Sequence, residues 1–137
     1  IVSKKAGFTS DIPSRTFVFA SYLLVSRPRV ILYISDLSYG TKAILYYPEY
    51  EIDLGTPVGS FIERNGLYIR RFEKGMVLVN PSRDTKTYFL NTPCQQVIPQ
   101  GGGPVKADGA WWGKLTYQPV SGKVALPPVT GMLLKKQ

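Results

Sequence analysis

The sequence predicts a mainly β protein, an antiparallel β-sandwich preceded by a short helix–strand unit. Three observations carry this. One apolar segment with a helix-start signature, Ser10 to Val25, lies near the beginning. A continuous β-branched and aromatic run, Val30 to Ser35, follows it. From Phe61 onward, short apolar runs alternate with turn-forming clusters roughly every eight to twelve residues, the spacing of a small sandwich.

Ser10-Asp11-Ile12-Pro13 reads as a helix start. Ser10 or Asp11 can cap it, and proline is tolerated in a first turn. Arg15 to Val25 is then apolar on most sides, so the helix must be buried against something large. Arg27-Pro28 ends it. Val30-Ile31-Leu32-Tyr33-Ile34-Ser35 has the composition of a strand buried on both faces, as in parallel sheets. A helix followed by such a strand resembles the last unit of an α/β barrel. Leu37 to Gly59 reads as a long structured loop with one helical turn, punctuated by Thr56-Pro57 and Gly59. These elements form an expected first unit, 1–59, and the sandwich a second, 60–137.

Within the second unit, Leu67 to Phe72 pairs with Met76 to Asn80 through Glu73-Lys74-Gly75, with Gly75 expected where positive φ is wanted. In the later strand Met76, Leu78 and Asn80 share one face, and Val77 and Val79 the other. Both faces are apolar, so this strand is expected to be central. Lys86 to Leu90 is a third strand. Thr92 to Gly109 reads as loop, with Gly101-Gly102-Gly103-Pro104 its loosest part. Lys114 to Gln118, Lys123 to Leu126 and Gly131 to Leu134 complete the set. There is no fixed-period repeat.

Composition removes several function classes. Histidine is absent, which eliminates the commonest general base and metal ligand and every Ser-His or Cys-His nucleophile arrangement. Cys94 is the single cysteine, so a disulfide framework within this chain and a cysteine-based zinc site are excluded. No metal and no cofactor are expected. The net charge is +8, but the basic residues are scattered as Lys4-Lys5, Arg27 and Arg29, Arg70-Arg71 and Lys135-Lys136. A solvated basic surface is expected over nucleic-acid binding. Gly101-Gly102-Gly103 lacks the Lys-Ser/Thr ending of a phosphate loop. Neither Phe17 to Val25 nor Val30 to Leu37 is long enough to span a membrane. The chain opens on Ile1 and reads as a processed chain or a piece of a longer polypeptide. Nothing in the residues assigns a compartment.

Two motif pairs carry a resemblance. Tyr47-Pro48-Glu49-Tyr50-Glu51-Ile52-Asp53-Leu54-Gly55-Thr56-Pro57 is followed by Gly75-Met76-Val77-Leu78-Val79-Asn80-Pro81. Together they resemble the end of a glycoside hydrolase family, in which a (β/α)₈ barrel closes with a strand and such a loop and a hairpin opens a C-terminal β-sandwich. Val124-Ala125-Leu126-Pro127-Pro128-Val129-Thr130-Gly131-Met132-Leu133-Leu134 is similar to the ending of many glycosidase C-terminal domains, with Thr130 where serine is common. The resemblance covers about residues 10 to 137. It implies a barrel whose bulk, with the strands that normally bear the catalytic carboxylate pair, is not in this chain.

Glycoside hydrolysis needs two carboxyl groups at a fixed separation. Glu49, Glu51 and Asp53 cluster after the buried strand, where a barrel would place its active-site face. They could touch a sugar hydroxyl, or be solvated, or cap a turn. Asp36 ends the strand and points at the mouth of such a barrel, or caps the next turn. Tyr33, Tyr39, Tyr46, Tyr47 and Tyr50 crowd the same loop, as a sugar platform or as junction packing. Trp111-Trp112, read as strand, would put one ring inside and one outside, and an exposed Trp112 could meet carbohydrate. Cys94 is expected to be an inert, half-buried thiol with no adjacent basic side chain.

The expected substrate-contact set is therefore Asp36, Tyr39, Tyr47, Glu49, Glu51, Asp53 and Trp112, with no catalytic residue. The leading reading is a non-catalytic C-terminal segment of a glycoside-hydrolase-like protein that supports a barrel, its remainder in another chain or lost by trimming, and contributes substrate contacts. One alternative is a free-standing carbohydrate-binding or structural sandwich. The other is a basic protein binding an anionic polymer, marked by steep salt dependence.

Overall fold

The computed structural model describes residues 1–40 and 42–137. In chain order the elements are β1 (Val2–Lys5), α1 (Ile12–Val25), β2 (Tyr33–Asp36), β3 (Leu45–Tyr46), β4 (Ile62–Arg64), β5 (Leu67–Phe72), β6 (Gly75–Asn80), β7 (Lys86–Gly101), β8 (Gly103–Pro104), β9 (Gly113–Leu126) and β10 (Thr130–Lys136). The chain is mainly β and antiparallel, led by a helix–strand unit. No helix among the described residues is long and apolar enough to cross a membrane.

Asp11 caps α1, its carboxylate accepting from the Ser14 N–H, with Pro13 in the first turn. Arg15, Phe19, Ala20 and Leu24 form the buried stripe, near helical spacing. The large body beneath is the chain's own six-stranded sheet, ordered β4-β5-β6-β10-β7-β9. Phe19, Ala20 and Leu24 share a core with Val77, Val79, Val97 and Leu133.

Near the beginning, one element was not anticipated and one expectation needs correction. Val2 to Lys5 is a strand, paired in parallel with β2, which makes β1-α1-β2 a βαβ unit. Its one apolar residue left no period to read. The run Val30 to Ser35 is not buried on both faces. The strand starts only at Tyr33, and Ile31 and Tyr33 are 74% and 55% exposed while Ile34 is buried. Among the described residues, β1 is the only strand paired with β2. The loop after β2 holds two 3₁₀ turns, Leu37–Tyr39 and Pro48–Glu51, where one helical turn was expected.

The hairpin β5–β6 forms as expected, and β6 is central, between β5 and β10. Val77 and Val79 face the helix-side core, and Leu78 joins the opposite core with Leu67, Ile69, Leu126 and Leu134. The turn, however, is only Glu73-Lys74, because Phe72 pairs with Gly75. Gly75 has no positive φ. Glycine is needed there for close approach, since a Cβ would lie 2.1 Å from the Leu134 carbonyl oxygen. Gly75→Ala should therefore cost roughly 2–3 kcal/mol through forced strand separation, read as a lowered urea midpoint. An unchanged midpoint would contradict that contact.

The later half also differs. Thr92 to Gly101 is strand, not loop, and Lys114 to Leu126 is one strand, not two. Pro93, Pro99 and Pro119 lie within these strands and are tolerated, because β9 is an edge strand and β10 pairs with β7 only at Cys94 to Gln96. The β7–β9 ladder breaks register between Leu90 and Cys94. The part before the break leaves β10 and supplies Leu90, Val124 and Leu126 to the core that holds Leu67, Ile69 and Leu78.

The motifs now have physical reasons. Asn80 is fully buried. Its amide donates to the carbonyls of Asp84, Leu126 and Pro127 and accepts from Ser82, so it ties the β6 end to the Leu126-Pro127-Pro128 segment. At Gly131 a Cβ would lie 2.7 Å from that of Ala20, so glycine lets α1 rest tightly on β10.

Candidate functional site

The C-terminal ends of β1 and β2 and the turn Pro48–Glu51 meet around a buried polar cluster. Asp36 is 1% exposed. Its carboxylate accepts from the Gly7, Thr9 and Ser38 backbone N–H groups at 2.9, 2.7 and 2.9 Å, so it caps the next turn and clasps the loop after β1. Glu49 accepts from Arg15 Nε at 2.7 Å and Nη2 at 3.0 Å, and both residues are completely buried. Arg15 Nη1 also donates to the Thr9 carbonyl at 2.5 Å. The guanidinium lies over the Tyr47 ring, 4.5 Å from its centroid, and the Tyr47 hydroxyl sits 3.0 Å from that of Thr9. Every buried side-chain nitrogen and oxygen among the described residues has a partner.

The cluster thus brings together Asp36, Tyr47 and Glu49 and adds Arg15 and Thr9, which sequence reasoning did not single out. Arg15 stood out only as a charge on an otherwise apolar helix, a signal for a buried partner. The remaining candidates lie elsewhere. Tyr39 is exposed in the turn after β2. Glu51 accepts from the Tyr46 hydroxyl, and Asp53 pairs with Lys74, both on the surface. Trp112 is 69% exposed in the segment before β9, not in a strand. Trp111 packs against Tyr46 in a tilted arrangement, ring centroids 4.6 Å apart.

Ionisation follows from these contacts. Burial opposes the charge on Asp36, but the Thr9 and Ser38 donors outweigh it and hold the carboxyl well below the usual range. At Asp11, bonds from Lys5 and Ser14 lower the pKa from 3.8 to about 2. Burial, with the charge of Glu49, pushes Tyr50 up to about 12, and burial likewise raises Tyr47, so both phenols stay neutral. Burial raises the Cys94 thiol against the opposing charge of Lys136, which sits across the ladder and was invisible as a sequence neighbour.

Depressed carboxyl pKa values mean that the unfolded chain binds more protons in acid. Their contribution is present above about pH 4 and lost as pH falls through the folded values, toward pH 2 for Asp11. Urea midpoints should be flat from neutral pH to about pH 5 and drop below it. Asp36→Asn should flatten that drop, and an unaltered acid limb would rule out Asp36 as a source.

A βαβ unit with a packed polar cluster at its strand ends, joined to an antiparallel β body, is the class of protein these features define. The family model described as hypothetical glycosyl hydrolase family 15 matches residues 2–76. That is more than half of the chain, from β1 to the start of β6, and the chain belongs to this family. No curated protein and no solved structure matches it.

Proposed function

We propose that the chain is the C-terminal part of a glycosyl-hydrolase-like protein. Residues 1–59 end a barrel whose remaining strands continue the β1–β2 sheet, and residues 60–137 form the antiparallel β body that braces it. The carrying observation is the β1–β2 pair itself. Parallel sheets are normally covered on both faces, and two strands alone are marginal in water. Here Val2, Ile31, Tyr33, Leu37 and Ile44 leave large apolar surfaces exposed around that pair. Adjacent strands and helices of a barrel would cover them.

On this reading the chain alone is not catalytic. The Asp36 and Glu49 carboxylates are occupied by backbone N–H groups and Arg15, and they shape the mouth from behind together with Tyr47. Tyr39, Glu51, Asp53 and Trp112, all at the surface, are the side chains able to touch a sugar. The acid and the base or nucleophile come from the barrel's other strands.

One observation favours a free-standing module: α1 finds its burial on this chain's own sheet. Native mass spectrometry separates the two readings. A complex with a longer polypeptide supports the barrel, and a monodisperse 15.3 kDa monomer supports the module. Turnover of a glycoside by the purified chain would overturn the non-catalytic assignment.

A further inference from the structure

A cavity lies away from the parallel strands, where the β7–β9 ladder departs from β10. It measures about 410 Å³, within the range of small-molecule sites. Its walls are apolar: Phe72, Met76, Tyr88, Leu90 and Cys94. Two cations, Arg71 and Lys136, line it, and no carboxylate does. The ion pairs among the described residues are Lys5–Asp11, Arg15–Glu49 and Lys74–Asp53, so neither of these cations is neutralised. Lys136 is held in place, its ammonium donating to the Glu73 carbonyl at 2.9 Å and its backbone N–H to that of Lys74 at 2.8 Å. Asn91 and Thr92 add polar groups to the lining.

An apolar chamber with two unneutralised cations selects for one ligand chemistry. A neutral apolar molecule would leave both charges unused. A small hydrophilic anion would leave the walls wet. A carboxylate can engage the guanidinium as a fork and the ammonium as a point charge. We propose that this cavity binds a small amphipathic carboxylate, its apolar body against Phe72, Met76 and Leu90 and its charge at Arg71 and Lys136. The site is independent of the barrel-side cluster and does not require that reading.

The test uses octanoate and 1-octanol as probes, titrated separately into the full chain and followed by the methyl NMR signals of Met76 and Leu90. Octanoate should shift both signals saturably. In the R71Q/K136Q double variant its affinity should fall by at least about tenfold, the scale of a lost charge-assisted hydrogen bond. Octanol affinity should be the same in both proteins. The Leu67 and Met132 methyl signals report whether the variant's core is intact. R71Q alone, at an exposed position, should show a partial loss without touching the Lys136 contacts. Absence of saturable shifts with octanoate overturns the site. Equal weakening of octanol and octanoate, or no weakening in either variant, overturns the charged recognition.

Discussion

Arg15→Ala is expected to destabilise the protein by about 3–5 kcal/mol, the scale of a buried ion pair broken from one side. The reason is the environment and not the Coulomb attraction alone. Arg15 and Glu49 are both completely buried and joined by two hydrogen bonds. Removing the guanidinium leaves the Glu49 carboxylate without a cation, orphans the Thr9 carbonyl, and takes the charge off the Tyr47 face. A loss of that size rivals the whole stability of a domain, about 5–15 kcal/mol. Urea unfolding measures it. The double replacement Arg15→Met with Glu49→Leu should cost much less than either change alone, because no charge is then stranded. Additive single costs would show that the two side chains act independently.

Leu78→Ala is the second large effect, expected at about 4 kcal/mol. Replacing a buried leucine by alanine costs about 2–5 kcal/mol in general. The structure argues for the upper part of that range. Leu78 is fully buried on a strand with neighbours on both sides, so little backbone can move in to refill the space. Its core is shared with Leu67, Ile69, Leu126 and Leu134, which come from three other strands. The variant should unfold at a markedly lower urea concentration with an unchanged slope. A shift below about 1 kcal/mol would mean that the β7–β9 layer collapses onto the gap.

Much of the fold was legible because its signals are local. The α1 start at Asp11 is a capping pattern, and the β5–β6 hairpin and the central place of β6 follow from alternation. Where local cues misled, a non-local partner had overruled them. Thr92 to Gly109, with its glycine-rich part at Gly101 to Gly103, read as loop, yet β9 pairs with Cys94 to Gly101 residue by residue. Gly75 looked like a turn glycine and is a contact glycine, because Leu134 approaches it from far along the chain.

The candidate site was half legible for the same reason. Acids and tyrosines in Tyr47 to Asp53 marked the right loop. Which of them would be buried depended on Arg15 and Thr9, distant in sequence, which take up Glu49 and Tyr47.

The sequence by itself determined the mainly β class, the leading helix, the absence of histidine and cysteine chemistry, and the motifs of a glycosyl hydrolase family. These depend on residue identity and short-range period, which a linear chain displays. The tertiary structure alone decided that β1 pairs in parallel with β2, that Glu49 is an ion-pair partner while Glu51 stays at the surface, and that Arg71 and Lys136 share a cavity. Each of these depends on which distant segments pack together, and burial sets the energy of a charge only after that packing exists.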